Sequence, residues 1–195
     1  MKKFKKIIKR RHPFGTKYKS CQINRTDRWI SVVSNVIFGG LHFSPTGFAV
    51  HSSRDVTPEW IGAAVRQALD TSEYLTPMED IEREPLILMK ASSNERRLAF
   101  WEDLASAYGY KNREATWNKY DSLFVRWFYE VEPDIEIVST KSSRTGAHSA
   151  WPRNMNEGRV FHVPFAASDA EIGDMVLRAF SRCEGPGKST EPLFP

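Results

Sequence analysis

The stretch TPEWIGAAVRQALDTS, Thr57–Ser72, is echoed 111 residues later by SDAEIGDMVLRAFSRC, Ser168–Cys183. In the first copy Ile61, Ala64, Val65, Ala68 and Leu69 fall at i, i+3, i+4, i+7 and i+8, the spacing of one apolar stripe along an α-helix. Ile172, Met175, Val176, Ala179 and Phe180 repeat that stripe position for position. Thr57 and Ser168 stand where N-caps belong, since a hydroxyl there accepts from backbone N–H groups that the first turn leaves unbonded. Pro58 suits the first helical position, where its missing N–H costs nothing. Glu171, three residues after Ser168, completes a capping box. Each helix carries a glycine directly after its isoleucine, Gly62 and Gly173. A mid-helix glycine costs about 1 kcal/mol against alanine. Its occurrence at both matched positions predicts close backbone packing, against a sheet or the other helix.

The echo continues upstream. GFAVHSS (Gly47–Ser53) and GRVFHVP (Gly158–Pro164) share Gly and His at the same offset of 111. WISVVSN (Trp29–Asn35) resembles IEIVSTK (Ile135–Lys141) at an offset near 105, and KYKSCQI (Lys17–Ile23) resembles KYDSLFV (Lys119–Val125) at 102. The offset grows along the chain, so the loops of the second copy are longer, which loops tolerate cheaply. Each half reads strand, strand, strand, helix. One such unit buries too little alone, whereas two side by side share a sheet and pack both amphipathic helices on it. The fold class expected is α+β: two pseudo-symmetric βββα repeats sharing an antiparallel or mixed sheet, with helices packed on it and a connecting helix.

The expected organisation is a single domain over residues 1–195, a length sufficient for one core. A basic segment (1–16) leads into repeat one (about 17–72), a linker with a helix (73–118), repeat two (about 119–183) and a mobile Pro/Gly-rich tail (184–195). In the linker, EYLTPMEDIEREP (Glu73–Pro85) is acidic and turn-rich, and LILM (Leu86–Met89) suits a short strand or a core anchor. A helix follows with Leu98, Trp101, Leu104, Ala105 and Tyr108 on one face and Gly109 as its C-cap. In the second repeat, FVRWFYEV (Phe124–Val131) alternates well enough to be a strand throughout.

Charge is segregated. Of the 28 Lys/Arg, nine fall in residues 1–20, which hold no acid, so the rest of the chain carries 19 against 24 Asp/Glu. A basic strip suits nucleic acid or an acidic surface, and an acidic body suits a basic protein partner. No run of about 18 apolar residues exists, so no membrane span is expected. The start MKKFKKIIKRR has the charge of a signal peptide, but no apolar region follows, which points to a cytoplasmic protein. Cys21 and Cys183 form no disulfide framework and read as small buried side chains.

Catalytic signatures are weak. GPGKST (Gly185–Thr190) lacks the earlier glycine of a phosphate loop, with Arg182 in its place, and follows a helix rather than a strand. His51 and His162, matched by the repeat, are the one pair with an acid–base reading, meeting near a pseudo-twofold; each also reads as a structural histidine on a strand. No His/Cys spacing suits zinc and no serine sits in a nucleophile elbow. No catalytic, metal or cofactor residue is assigned and no cofactor is expected. The long loop Lys141–Glu157 offers Arg144, His148, Trp151 and Arg153, and Trp and Arg are common interface anchors. The acidic linker offers Glu79, Asp80, Glu82 and Glu84 for contact with a basic partner.

YGYKNREATWNKYDSLFV (Tyr108–Val125), IEIVST (Ile135–Thr140) and SDAEIGDMVLRAFSRC (Ser168–Cys183) resemble the immunity proteins of bacterial contact-dependent growth inhibition (CDI) systems. EWIGAAVRQALDTS is the first-half counterpart, so the resemblance extends over most of the chain. It implies a non-enzymatic protein that binds and neutralises the toxic C-terminal domain of a cognate effector, often a nuclease. The shared residues belong to the scaffold, so the resemblance carries over no toxin-contacting residue. The alternative is a nucleic-acid-binding protein using the basic strip; under the first reading no direct nucleic-acid contact is expected. Oligomeric state is not legible.

Overall fold

The computed structural model describes residues 16–75, 83–117, 120–143, 147–152 and 156–185. The first half comprises β1 (Lys19–Arg25), β2 (Trp29–Ile37), β3 (Leu41–Phe43), β4 (Ala49–Ser53), α1 (Pro58–Asp70) and the two-residue β5 (Glu73–Tyr74). Then come α2 (Arg83–Ala107) and the single turn α3 (Arg113–Thr116). The second half comprises β6 (Asp121–Trp127), β7 (Asp134–Ser142), β8 (His148–Ala150), β9 (Val160–Pro164) and α4 (Asp169–Phe180).

All nine strands join one curled sheet whose main path runs β3-β2-β1-β6-β7-β8. The ladders are antiparallel except for β5, which runs parallel to β2. The two halves meet at the β1–β6 ladder, where Gln22 lies opposite Phe124. β2 is long enough to carry β4 along Trp29–Val33 and β3 along Asn35–Ile37; β7 carries β9 along Asp134–Val138 and β8 along Thr140–Ser142. Expected as three strands per half, the sheet gains β3, β5 and β8. Strands of two or three residues are too short to show a period of their own.

Alternation along the strands gives the sheet two covered faces. On one, Cys21, Ile23, Ile30, Val32, Leu123, Val125, Ile135 and Ile137 form the core with the stripes of α1 and α4. Fully burying a side chain of this size contributes about 1.5–3 kcal/mol. The two helices cross where each lacks a side chain. A Cβ at Gly62 would stand 1.9 Å from the Asp169 carbonyl oxygen, and one at Gly173 would stand 1.9 Å from that of Pro58. Thr57 caps α1 by accepting from the Trp60 N–H, and Ser168 with Glu171 forms the full capping box of α4. Arg66 on α1 donates to Asp169 (2.7 Å) and to the carbonyls of Phe165 and Ala167, tying α1 to the loop that enters α4.

On the other face Trp29 packs edge-on against Trp101 of α2, with Leu104 beside them. Ser93 and Arg96 donate to the carbonyls of Phe43 and Ser44, so α2 lies across the first half of the sheet. It begins earlier than expected, and LILM belongs to it rather than to a strand. Ile87 and Leu88 are exposed, so they do not anchor a core. Gly109 ends this segment with φ of 66°, and Tyr110 N–H bonds back to Ala105. Among the described residues no helix is long and apolar enough to cross a membrane.

Candidate partner-binding surfaces

The residues singled out for chemistry do not converge. His51 on β4 has both ring nitrogens engaged by α2 and the turn that follows it: Nε2 lies 2.9 Å from Asp103 Oδ2 and Nδ1 lies 3.2 Å from the Tyr108 hydroxyl. His162 lies on β9 opposite Glu136. β2, β1, β6 and β7 separate the two histidine-bearing strands, so they do not form an acid–base pair. Each lies on its own outer strand rather than at the junction of the two halves. Cys21 is fully buried and burial drives its thiol pKa upward. Cys183, also desolvated, is pushed up to about 12 and donates to the Ser122 carbonyl. Among the described residues no group of three His, Cys, Asp or Glu converges in a way that could hold a metal ion. Of GPGKST, only Gly185 lies within the described residues.

The loop Lys141–Glu157 folds back on the sheet through β8, which pairs Thr140 with Ala150 and Ser142 with His148. The His148 ring packs tilted against Tyr120 with centroids 4.3 Å apart, and its Nδ1 lies 3.1 Å from the Thr140 hydroxyl. Burial lowers its pKa to about 4. Trp151 is buried, with the Arg159 guanidinium 3.9 Å above its ring and the Lys141 ammonium 5.4 Å away. Its ring pins the loop from inside. Arg144 and Arg153 lie outside the described residues, as do Glu79, Asp80 and Glu82; Glu84 falls in the first turn of α2. The basic segment likewise lies outside them up to Gly15.

A surface that the sequence did not single out lies at the far end of β7. β6 stops at Trp127, short of the expected strand, and residues 128–133 form a tight turn. Val131 and Glu132 both donate their N–H to the Phe128 carbonyl, and the Trp127 indole donates to the Glu132 carbonyl. Tyr129 and Val131 are 37% and 54% exposed. The turn joins the loop before α4: Phe165 N–H bonds to the Pro133 carbonyl, and the Trp127 and Phe165 rings stack at 3.7 Å. Next to that loop opens a groove of about 600 Å³ between β9 and α4, lined mainly by His162, Pro164, Ala167, Glu171, Asp174 and Met175.

The architecture is thus a sheet-and-helix scaffold in which His51 is engaged by hydrogen bonds and Cys21, His148 and Cys183 are desolvated. The chain belongs to the CDI immunity protein family, whose model matches residues 19–183. Two solved structures share the fold. NMB0488 from Neisseria meningitidis, a protein of unknown function, is 18% identical with a TM-score of 0.71, and the match covers 87% of this chain and 98% of that one. A CdiA-CT/CdiI toxin and immunity complex from Yersinia pseudotuberculosis contains a chain 19% identical with a TM-score of 0.68, covering 86% of this chain and 98% of that one. No curated protein matches the sequence significantly.

Proposed function

We propose that this protein binds the toxic C-terminal domain of a cognate CDI effector inside the producing cell and neutralises it by stoichiometric association, with a nuclease as the expected toxin. The observation that carries the reading is the family match over residues 19–183. The likeness to a chain from a toxin and immunity complex is consistent with it. The chemistry agrees. His51, His148, Cys21 and Cys183 are engaged or desolvated within the fold, so inhibition falls to the surface rather than to a reaction. A standard interface of about 1,600 Å² with complementary charge is sufficient for tight, fast association.

We also infer that the two halves are copies of one βββα unit. Several positions support this: Gln22 faces Phe124, 102 positions on, across the central ladder, and Gly62 and Gly173 each abut the first residue of the other helix. The acidic segment Glu79–Glu84 and the loop Lys141–Glu157 are proposed as accessory contacts. Since the Trp151 ring faces inward, that loop would act through its flanking residues.

The test is a titration of the C-terminal domain of the cognate effector with the purified protein. Inhibition should reach completion near one equivalent. Complete inactivation by a small fraction of an equivalent overturns association as the mechanism, and no inhibition at any ratio overturns the reading.

A further inference from the structure

We propose that the β6–β7 turn, with the groove between β9 and α4, is the main docking surface for the toxin domain, and that the toxin presents a basic surface around an apolar recess that takes Tyr129 and Val131. This rests on the neutralisation reading above and deepens it.

The first argument is length. β1 and β2 are joined by residues 26–28, whereas the matching β6–β7 connection spans 128–133, three residues more. A hairpin needs no such extension to close. The added length carries the two exposed apolar side chains.

Order is the second argument. Three hydrogen bonds to the Phe128 and Glu132 carbonyls hold the turn, and the Trp127–Phe165 stack anchors its base. Tyr129 packs against Trp127 at 6.0 Å between ring centroids while keeping more than a third of its surface in water. Apolar groups held in place before binding lose little conformational entropy on docking, which favours them as anchors.

Charge identifies the occupant. The hairpin end carries Glu130, Glu132, Asp134 and Glu136 against Arg126, which is paired with Glu136, and Lys19, which lies opposite Trp127 on β1 and donates to the Asp70 carbonyl. The groove carries Glu171 and Asp174 against Arg178, and the first residue of α4, Asp169, is paired with Arg66. Pro164, Ala166, Ala167 and Met175 line the same groove. An apolar strip rimmed with carboxylates complements a basic protein surface. A nuclease presents such a surface to its polyanionic substrate, so a partner docked here would cover the phosphate-binding region.

The test measures binding of the effector's C-terminal domain by calorimetry and stopped flow, with the melting temperature of each variant recorded. Tyr129→Ala and Val131→Ala should each weaken binding about thirtyfold, mainly through faster dissociation. Glu130→Lys with Asp174→Lys should slow association about tenfold and flatten its salt dependence. Amide exchange on the unmodified complex supplies a readout independent of variant folding: residues 128–134 and 164–175 should gain protection. If the unmodified protein binds but both apolar variants bind within about threefold of it, or the turn gains no protection, the docking surface is wrong. The same holds if only changes in Lys141–Glu157 weaken binding. If the unmodified protein does not bind the domain, the neutralisation reading fails and this inference falls with it.

Discussion

Gly62 and Gly173 show how a single missing carbon sets the distance between two helices. Alanine at either position gains about 1 kcal/mol of helix propensity. It also drives a Cβ to 1.9 Å from a backbone carbonyl oxygen of the other helix, a contact that backbone must move to relieve. Overpacking of this kind outweighs propensity, so each Gly→Ala change should lower unfolding free energy by about 3 kcal/mol in urea. The two act on one interface, so the double variant should lose less than the two separate losses combined. Stabilisation by either change would contradict the packing. His148 offers a second test. Burial holds its pKa near 4 against an ordinary 6.5, so the unfolded chain takes up this proton first as pH falls. Its contribution to stability therefore drops between about pH 6.5 and 4 and levels off below. In His148→Gln that component should vanish, visible as a difference between the two stability–pH curves confined to this window.

At the scale of elements, α2 is asymmetric: it covers Trp29, Phe43 and His51 in the first half of the sheet. Its hold depends on a small cluster, Trp29, Trp101 and Leu104, rather than on a long apolar stripe. Leu104 is fully buried, and Leu104→Ala should cost about 2–4 kcal/mol. Amide exchange should then quicken first in α2, since α1 and α4 draw on the separate core of the opposite face. Equal quickening in α1 and α4 would show that the two faces melt as one.

Across the whole molecule, α1 and α4 share one core with strands of both halves. Ile61 and Ile172 are both fully buried there. An unpaired charge at either site costs several kcal/mol, comparable to the entire stability of a domain of this size. Ile61→Asp and Ile172→Asp should each abolish the native transition of the whole chain, read by circular dichroism and calorimetry. Survival of one half as a cooperatively melting unit would break the shared-core account.

Much of this was legible in the sequence because it is local. Helical stripes, the Thr57 and Ser168 caps and the alternating strands follow from spacings of two to four residues. The paired glycines were readable as a propensity cost with no local justification. The sequence also carried the family, through motifs that belong to the scaffold. What covers each face was not legible. Trp151, in a loop composed like a binding surface, turned inward because Arg159 and Lys141 lie across its ring, partners set by sheet register. His51 and His162 were separated by strand order, which no spacing records. FVRWFYEV alternates like a strand to its end, yet bonds to the Phe128 and Glu132 carbonyls bend it after Trp127 and leave Tyr129 and Val131 in solvent. Periodicity determines which side chains share a face; only the packing of distant segments decides which of those faces stay open to a partner.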